Sequence, residues 1–173
     1  FIGLGKEEKI DLEVLRKTFF KAASELLKNK VEEVELNIPK LNNLCNYKTA
    51  EAIAEGMLHA TYKYDKFKSD RKEQTEITVN YNPEKGKEDR AEKGINEAVK
   101  LMEAVFLTRD LVNQPANVIY PETLAQIAKE KLEAKGVKVT IHGKKEIENL
   151  KMEAFLNVAR ASTKEPKLIV MEY

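Results

Sequence analysis

A single cysteine, Cys45, is all the thiol chemistry this chain of 173 residues contains. No intrachain disulfide can form, so a secreted disulfide scaffold is excluded, and a cysteine metal cluster is excluded by the same count. Long apolar runs are missing too. None approaches the roughly 20 residues a bilayer-spanning helix requires, and no signal peptide is visible. Excess charge of either sign is also absent, since 30 basic side chains face 29 acidic ones and leave a net charge of +1. That balance gives no general electrostatic reason to bind nucleic acid or an anionic membrane. These absences point to a soluble protein of a reducing cytoplasm, with no membrane partner. The 42% of apolar residues is enough for a core, and the 34% of charged ones gives a well-solvated surface.

Several catalytic signatures are missing as well. His59 and His142 are the only histidines, and no H-E-x-x-H or comparable ligand spacing exists. His59 sits beside Met57 and Leu58 on a helical pattern, and His142 ends a strand before Gly143; both read as surface or packing residues. Gly3-Leu-Gly5-Lys6 lacks the glycines of a phosphate loop or a dinucleotide fingerprint. Ser24, Ser69 and Ser162 have no G-x-S-x-G elbow around them. The pairs Glu7–Glu8 and Glu32–Glu33 are sequence neighbours, which point apart on a helix or a strand, and read as solvated charges. Cys45, between Leu44 and Asn46, reads as a small buried hydrophobe. Lys63, Lys66, Lys68, Arg71 and Lys72 make the best local basic patch, read as solvated surface. No catalytic residue and no metal ligand is therefore assigned to this chain, and its substrate-binding residues stay open.

What is present is an alternation of strand-like and helix-like segments. Residues 1–5 are short and apolar, with glycines that permit a tight turn. Asp11 caps a helix whose face is Leu12, Leu15, Phe19, Ala22, Ala23 and Leu26. Val31, Val34, Leu36 and Ile38 read as a strand closed by Pro39. Thr49 is expected to cap the next helix, with Ile53, Met57, Ala60 and Tyr64 on one face. Ile77, Val79 and Tyr81 alternate as a half-buried strand. This order predicts an α/β domain with some parallel pairing.

Residues 82–89, polar and holding Pro83 and Gly86, form the best linker. A long helix is expected over 90–112, on Ala91, Ile95, Ala98, Val99, Met102, Val105, Phe106 and Val112. Gly94 is expected at an exposed site there, at a cost of roughly 1 kcal/mol against alanine. Asn113 and Pro115 end this helix, and Pro121 opens another with Leu124, Ile127, Ala128 and Leu132 as its apolar face and Gly136 as its stop. Strands over 137–141 and 168–171 follow, with a shorter apolar run of Phe155, Leu156 and Val158 between. This second α/β pattern has too few elements to cover both faces of a sheet. Spacing alone leaves the Asn-Pro junction open between an ordinary joint and a functional loop.

The order and letters of four segments resemble the leucyl aminopeptidases, the two-metal cytosolic family also called peptidase family M17. They are Phe1-Ile-Gly-Leu-Gly-Lys6; Ala54-Glu-Gly-Met-Leu-His-Ala-Thr-Tyr-Lys-Tyr-Asp-Lys-Phe-Lys-Ser69; Arg109-Asp-Leu-Val-Asn-Gln-Pro-Ala-Asn117; and residues 152–158 with Ser162, Pro166 and Leu168-Ile-Val-Met-Glu-Tyr173. The third is the most specific. Glu153 and Ala161 depart from the pattern, standing where the family often has glycine.

The resemblance implies an α/β chain of three parts. Residues 1–82 would be the later part of a macro-like N-terminal domain, 83–113 a linker and connecting helix, and 114–173 the opening of a catalytic domain. The chain's start, without methionine, is expected of an excised or incompletely observed polypeptide. Family members remove N-terminal residues, often leucine, from peptides at two adjacent divalent ions, zinc or manganese, which activate a bridging water and polarise the scissile carbonyl. The family's metal ligands fall beyond Tyr173, so none is carried onto this sequence; no cofactor is expected in the chain, which would be inactive alone. Its implied share is scaffold and assembly of a homohexamer, with peptides as substrates. The alternative is a macro-like binding module for DNA or ADP-ribose. Neutral charge weighs against DNA, and only Gly3 and Gly5 hint at a phosphate loop.

Overall fold

The computed structural model describes residues 2–37, 41, 44–71 and 73–173, and the chain divides into two compact units, 1–109 and 110–173. In the first, Asp11 accepts a hydrogen bond from the Val14 amide at 2.7 Å and so caps α1 (Leu12–Lys28), as its side chain predicts. Leu15, Phe19 and Ala23, at four-residue spacing, are the buried stripe of this helix. β1 (Glu33–Asn37) and β2 (Thr78–Asn82) pair in parallel, with Val34 opposite Val79 and Leu36 opposite Tyr81. Between them in sequence runs α2 (Asn46–Thr61). Leu15 and Phe19 of α1 meet Ala52 and Ile53 of α2 in the core, and Leu36 and Tyr81 pack onto that cluster from the strands. The α/β expectation and its parallel pairing hold.

Four local expectations fail here. Residues 2–6 form no strand; Leu4 instead packs against the core between exposed glycines. Phe1, and the strand-closing Ile38 and Pro39, lie outside the described residues. Thr49 does not cap α2, which starts three residues earlier behind Cys45. The Thr49 amide already donates to the Cys45 carbonyl at 2.9 Å, and Thr49 is buried within the helix. Tyr64 lies beyond the end of α2, with its ring edge-on to Phe67. Cys45 is exposed rather than buried, since a residue at a helix start projects away from the packed face.

α3 (Glu88–Asn113) follows the linker. Ala91, Gly94, Ala98 and Met102 are its buried positions, whereas Val112, expected on the apolar face, is 78% exposed in the last turn. Gly94 is therefore not at an exposed site. A Cβ added there would lie 2.3 Å from the Tyr47 carbonyl oxygen of α2, so α3 approaches α2 as closely as backbones can.

In the second unit, α4 (Pro121–Glu133) starts with proline where its missing N–H costs nothing. Gly136, at φ 82°, turns the chain at its end while the Val137 amide reaches back to the Leu132 carbonyl at 3.1 Å. The buried face is centred on Ala125, with Ala128 and Leu132 partly buried below it. Leu124, expected inside, is exposed. A small residue lets α4 sit tightly on β3 (Lys138–His142), and the larger neighbour turns outward. β3 pairs antiparallel with β4 (Leu168–Glu172), and the directly opposed Lys138 and Glu172 form an ion pair at 2.9 Å. α5 (Lys144–Asn149), not anticipated from the sequence, buries Ile147 completely. α6 (Glu153–Ala159) contains the expected apolar run but leaves Val158 88% exposed. Neither Glu153 nor Ala161 needs glycine's freedom, because the left-handed residue of this region is Lys151, at φ 56°.

Candidate functional site

The first unit is assembled around α2. Seven of its residues between Thr49 and Gly56 are buried, and two of these are glutamates. A carboxylate withdrawn from water needs a partner or costs several kcal/mol. Each has one. Lys48 Nζ donates to Glu51 Oε2 at 2.5 Å, and Arg16 Nε of α1 donates to Glu55 Oε2. The hydrogen bond to Glu55 holds the Arg16 guanidinium above its usual pKa, and the bond to Glu51 does the same for the Lys48 ammonium. Gly56, next to Glu55, is where α1 comes closest. A Cβ there would lie 2.4 Å from the Arg16 carbonyl oxygen. The Glu55-Gly56 pair thus works as one contact: the glycine admits the α1 backbone, and the glutamate takes the side chain of the same arginine.

Beyond α2, the Tyr62 ring lies between Phe106, at 5.2 Å between centroids, and the Arg109 guanidinium, 3.7 Å from the ring centre. Arg109, the first residue of the most specific motif, is therefore a cation–π anchor between the end of α3 and the loop after α2. In the basic segment, Lys63 pairs with Asp65 at 2.9 Å, and this hydrogen bond holds the Asp65 carboxyl below its usual range. Arg71 turns onto the Lys66 carbonyl, and Lys66 lies over Phe67. Lys68 is exposed, and Lys72 lies outside the described residues. The segment is thus broken by an ion pair and an exposed aromatic rather than presenting a uniform run of cations.

The Asn-Pro junction is fastened by its own backbone. The Pro115 carbonyl accepts from the Val118 and Ile119 amides at 2.8 and 3.0 Å. The Tyr120 amide donates to Thr123 Oγ1 at 2.9 Å, and the Thr123 hydroxyl lies 2.9 Å from the Val118 carbonyl. Next to it, Lys167 Nζ stands 2.7 Å from Glu122 Oε2 and 2.7 Å from Glu165 Oε2, with only 12% of its side chain exposed. Its hydrogen bonds hold both carboxyls below the usual glutamate range, and they in turn raise the lysine. This node joins the approach to β4 to the first turn of α4. It is one ammonium shared by two carboxylates, not an unpaired acid or base.

The remaining sequence candidates stay apart. His59 is exposed on α2, 6.2 Å from the Phe20 ring, whereas His142 ends β3 in the other unit. Among the described residues no three His, Cys, Asp or Glu side chains come together as a metal site. The Ser24 hydroxyl donates to the Phe20 carbonyl, Ser162 Oγ accepts from the Lys164 amide, and Ser69 is exposed. Glu33 accepts from Asn80 at 2.8 Å across the parallel pair; Glu7 and Glu8 are exposed, as are Gly3 and Gly5. Sequence reasoning missed Arg16, Glu51 and Lys167, and placed Gly94 at an exposed site. The Lys48/Glu51 spacing was a readable signal, but the Arg16–Glu55 pair spans 39 residues and left none.

Sequence and structure comparisons place these features. Residues 1–71 match the N-terminal domain of the cytosol aminopeptidase family, and residues 106–173 match the catalytic domain of the same family. A probable cytosol aminopeptidase of Treponema denticola is 98% identical over 173 residues, all of this chain and 36% of that protein. Its counterpart in Clostridium perfringens is 41% identical over 99% of this chain and 36% of its own length. The chain thus spans about a third of the curated relatives it matches. Among solved structures, a tomato leucine aminopeptidase mutant is similar at a TM-score of 0.82 and 27% identity, over 92% of this chain and 32% of that one. The bottromycin maturation enzyme BotP in complex with Mn shares the fold at a TM-score of 0.83 and 21% identity, over 99% of this chain and 35% of that one. With both domains of one family matched in order along it, the chain belongs to the cytosol aminopeptidase family, M17.

Proposed function

We propose that this chain is the scaffolding and assembling part of a two-metal leucyl aminopeptidase, a cytoplasmic homohexamer that trims N-terminal residues, often leucine, from peptides. In this reading residues 1–82 complete an N-terminal domain, 83–113 connect it, and 114–173 open the catalytic domain. The observation that carries the reading is the succession of the two family matches on one chain, nearly identical to a relative almost three times as long. The cytoplasmic reading rests on the lone exposed cysteine and on the relatives' names; among the described residues no helix is long and apolar enough to cross a membrane.

Among the described residues no set fits a pair of zinc or manganese ions. Two ions would need several convergent carboxylates, and the two buried ones, Glu51 and Glu55, are engaged by Lys48 and Arg16. In this reading the chemistry of the whole protein lies with residues outside this chain, and none of its steps is assigned here. The test is hydrolysis of leucine amide with added manganese, run on the full-length protein and on the 173-residue chain, with metal content measured in both. Activity and bound metal in the full-length protein alone are expected. Stoichiometric metal in the short chain, or an inactive full-length protein, would overturn the reading.

A further inference from the structure

A groove of about 580 Å³ runs between α1, α2 and α3, entirely within the first unit. Its walls carry apolar side chains that a solvated helical surface does not require. Phe20 is 42% exposed and Leu101 48%, with Val105 half-buried beside them. Its rim is basic. Arg16, Lys17, Lys21 and Arg109 line it against only two carboxylates, Glu13 and Glu55. Glu55 is already engaged by Arg16, and Glu13 lies between Arg16 and Lys17 at 3.8 and 3.3 Å. Among the described residues neither Lys21 nor Arg109 is in an ion pair, and Arg109 rests on the Tyr62 ring. The groove therefore joins an apolar floor to unspent positive charge.

We propose that this groove docks an acidic, amphipathic protein segment: one or two large apolar side chains on Phe20, Leu101 and Val105, and carboxylates against Lys21 and Arg109. Charge complementarity selects such a partner, because desolvated apolar contact supplies affinity while rim charges set orientation and on-rate. A nucleic acid is a poorer match. Its phosphates would meet Glu13, and it has no use for the two exposed apolar side chains at the centre.

The test is fluorescence anisotropy on the full-length protein with an acidic helical peptide carrying leucines at positions i and i+4. The peptide is N-acetylated so that an aminopeptidase cannot shorten it. Saturable binding is expected, weakened at least tenfold by Lys21→Glu and by Leu101→Lys, and unchanged by Lys28→Glu at the far end of α1. Both informative positions are exposed on helices, so circular dichroism should confirm that the variants fold. Three results would overturn the proposal. The first is no saturation at millimolar protein, or binding that neither variant alters. The second is preference for a DNA duplex with a steep loss on adding salt, which would assign the groove to nucleic acid. The third is self-association abolished by the same two variants, which would assign it to a second copy of the chain.

Discussion

Replacing Gly94 by alanine sets two physical effects against each other, and the structure decides which wins. At an exposed helical position the change stabilises by roughly 1 kcal/mol, because alanine loses less backbone freedom on folding. At Gly94 the new methyl would sit 2.3 Å from the Tyr47 carbonyl oxygen and 3.1 Å from the Glu51 amide nitrogen. The first distance is about 1 Å short of ordinary contact, and both atoms are backbone, so no flexible side chain can yield. They also belong to one turn of α2, spaced as the acceptor and donor of a helical hydrogen bond. Relief must come from moving α3 away from α2 or from distorting that turn. Overpacking of this kind costs about 1–3 kcal/mol, and more where the obstacle is rigid. The net expectation is destabilisation by about 1–2 kcal/mol. Because the two units can unfold separately, the assay is native-state amide exchange of residues 50–53, with urea denaturation followed by circular dichroism alongside. Protection in α2 should fall by about tenfold, as 1.4 kcal/mol corresponds to a factor of ten. Gly56→Ala, 2.4 Å from the Arg16 carbonyl, should behave alike. A Gly94→Ala chain that is more protected than the parent would show that the helices are not in backbone contact.

Asp11→Ala removes the acceptor of the Val14 amide and should cost about 1 kcal/mol, read as a lower urea midpoint at unchanged slope, with Asp11→Asn recovering most of it. Lys167 holds Glu122 and Glu165 below the ordinary glutamate value of 4.5, so their contribution to stability is complete above that value and is lost as pH falls through their depressed folded values. The melting temperature of Lys167→Met should therefore depend less steeply on pH below 4.5 than that of the parent; equal slopes would mean that the node is not formed in solution. Arg109→Ala should cost about 1 kcal/mol by removing the charge from the Tyr62 face, and Arg109→Lys should recover part of it, measured by exchange in the loop after α2. Cys45 should react with a disulfide reagent in the native protein at a rate close to that of the unfolded chain, since it is exposed; protection by orders of magnitude would put it back inside.

Regular elements with local causes were legible in the sequence. The Asp11 cap, the Gly136 stop, the Pro121 start and strands within 31–38, 77–81, 137–141 and 168–171, observed at 33–37, 78–82, 138–142 and 168–172, each follow from one or two letters and a period. The failures share a cause at a distance. Thr49 lies inside α2, which begins a turn earlier, at the level where its Tyr47 carbonyl meets Gly94 of α3. Leu124 turned outward because Ala125 allowed a closer approach to β3. Gly94 was taken for a weak point because nothing in α3 itself indicates that α2 lies against it. Arg16 and Glu55 are 39 residues apart, and no periodicity links them. Local propensity reads caps and periods well; it does not reach the face that a neighbour will choose.

The family motifs in this chain form contacts between its elements. Glu55-Gly56 couples α1 to α2 through one arginine, using its carbonyl at the glycine and its guanidinium at the glutamate. Arg109 couples the end of α3 to Tyr62, and Pro115 and Thr123 fasten the turn into α4. Each motif sits where one element is handed to the next, so a substitution there moves a whole helix instead of removing one side chain's contribution. A two-metal hydrolase needs its ligands held to within a fraction of an ångström. In the proposed enzyme, these joints would have to be rigid for that to be possible. Gly56→Ala in the full-length protein should then lower leucine amide turnover without lowering metal content, because it disturbs the frame and not the ligands. Loss of metal in proportion to activity would show instead that the joint and the metal site fold as one.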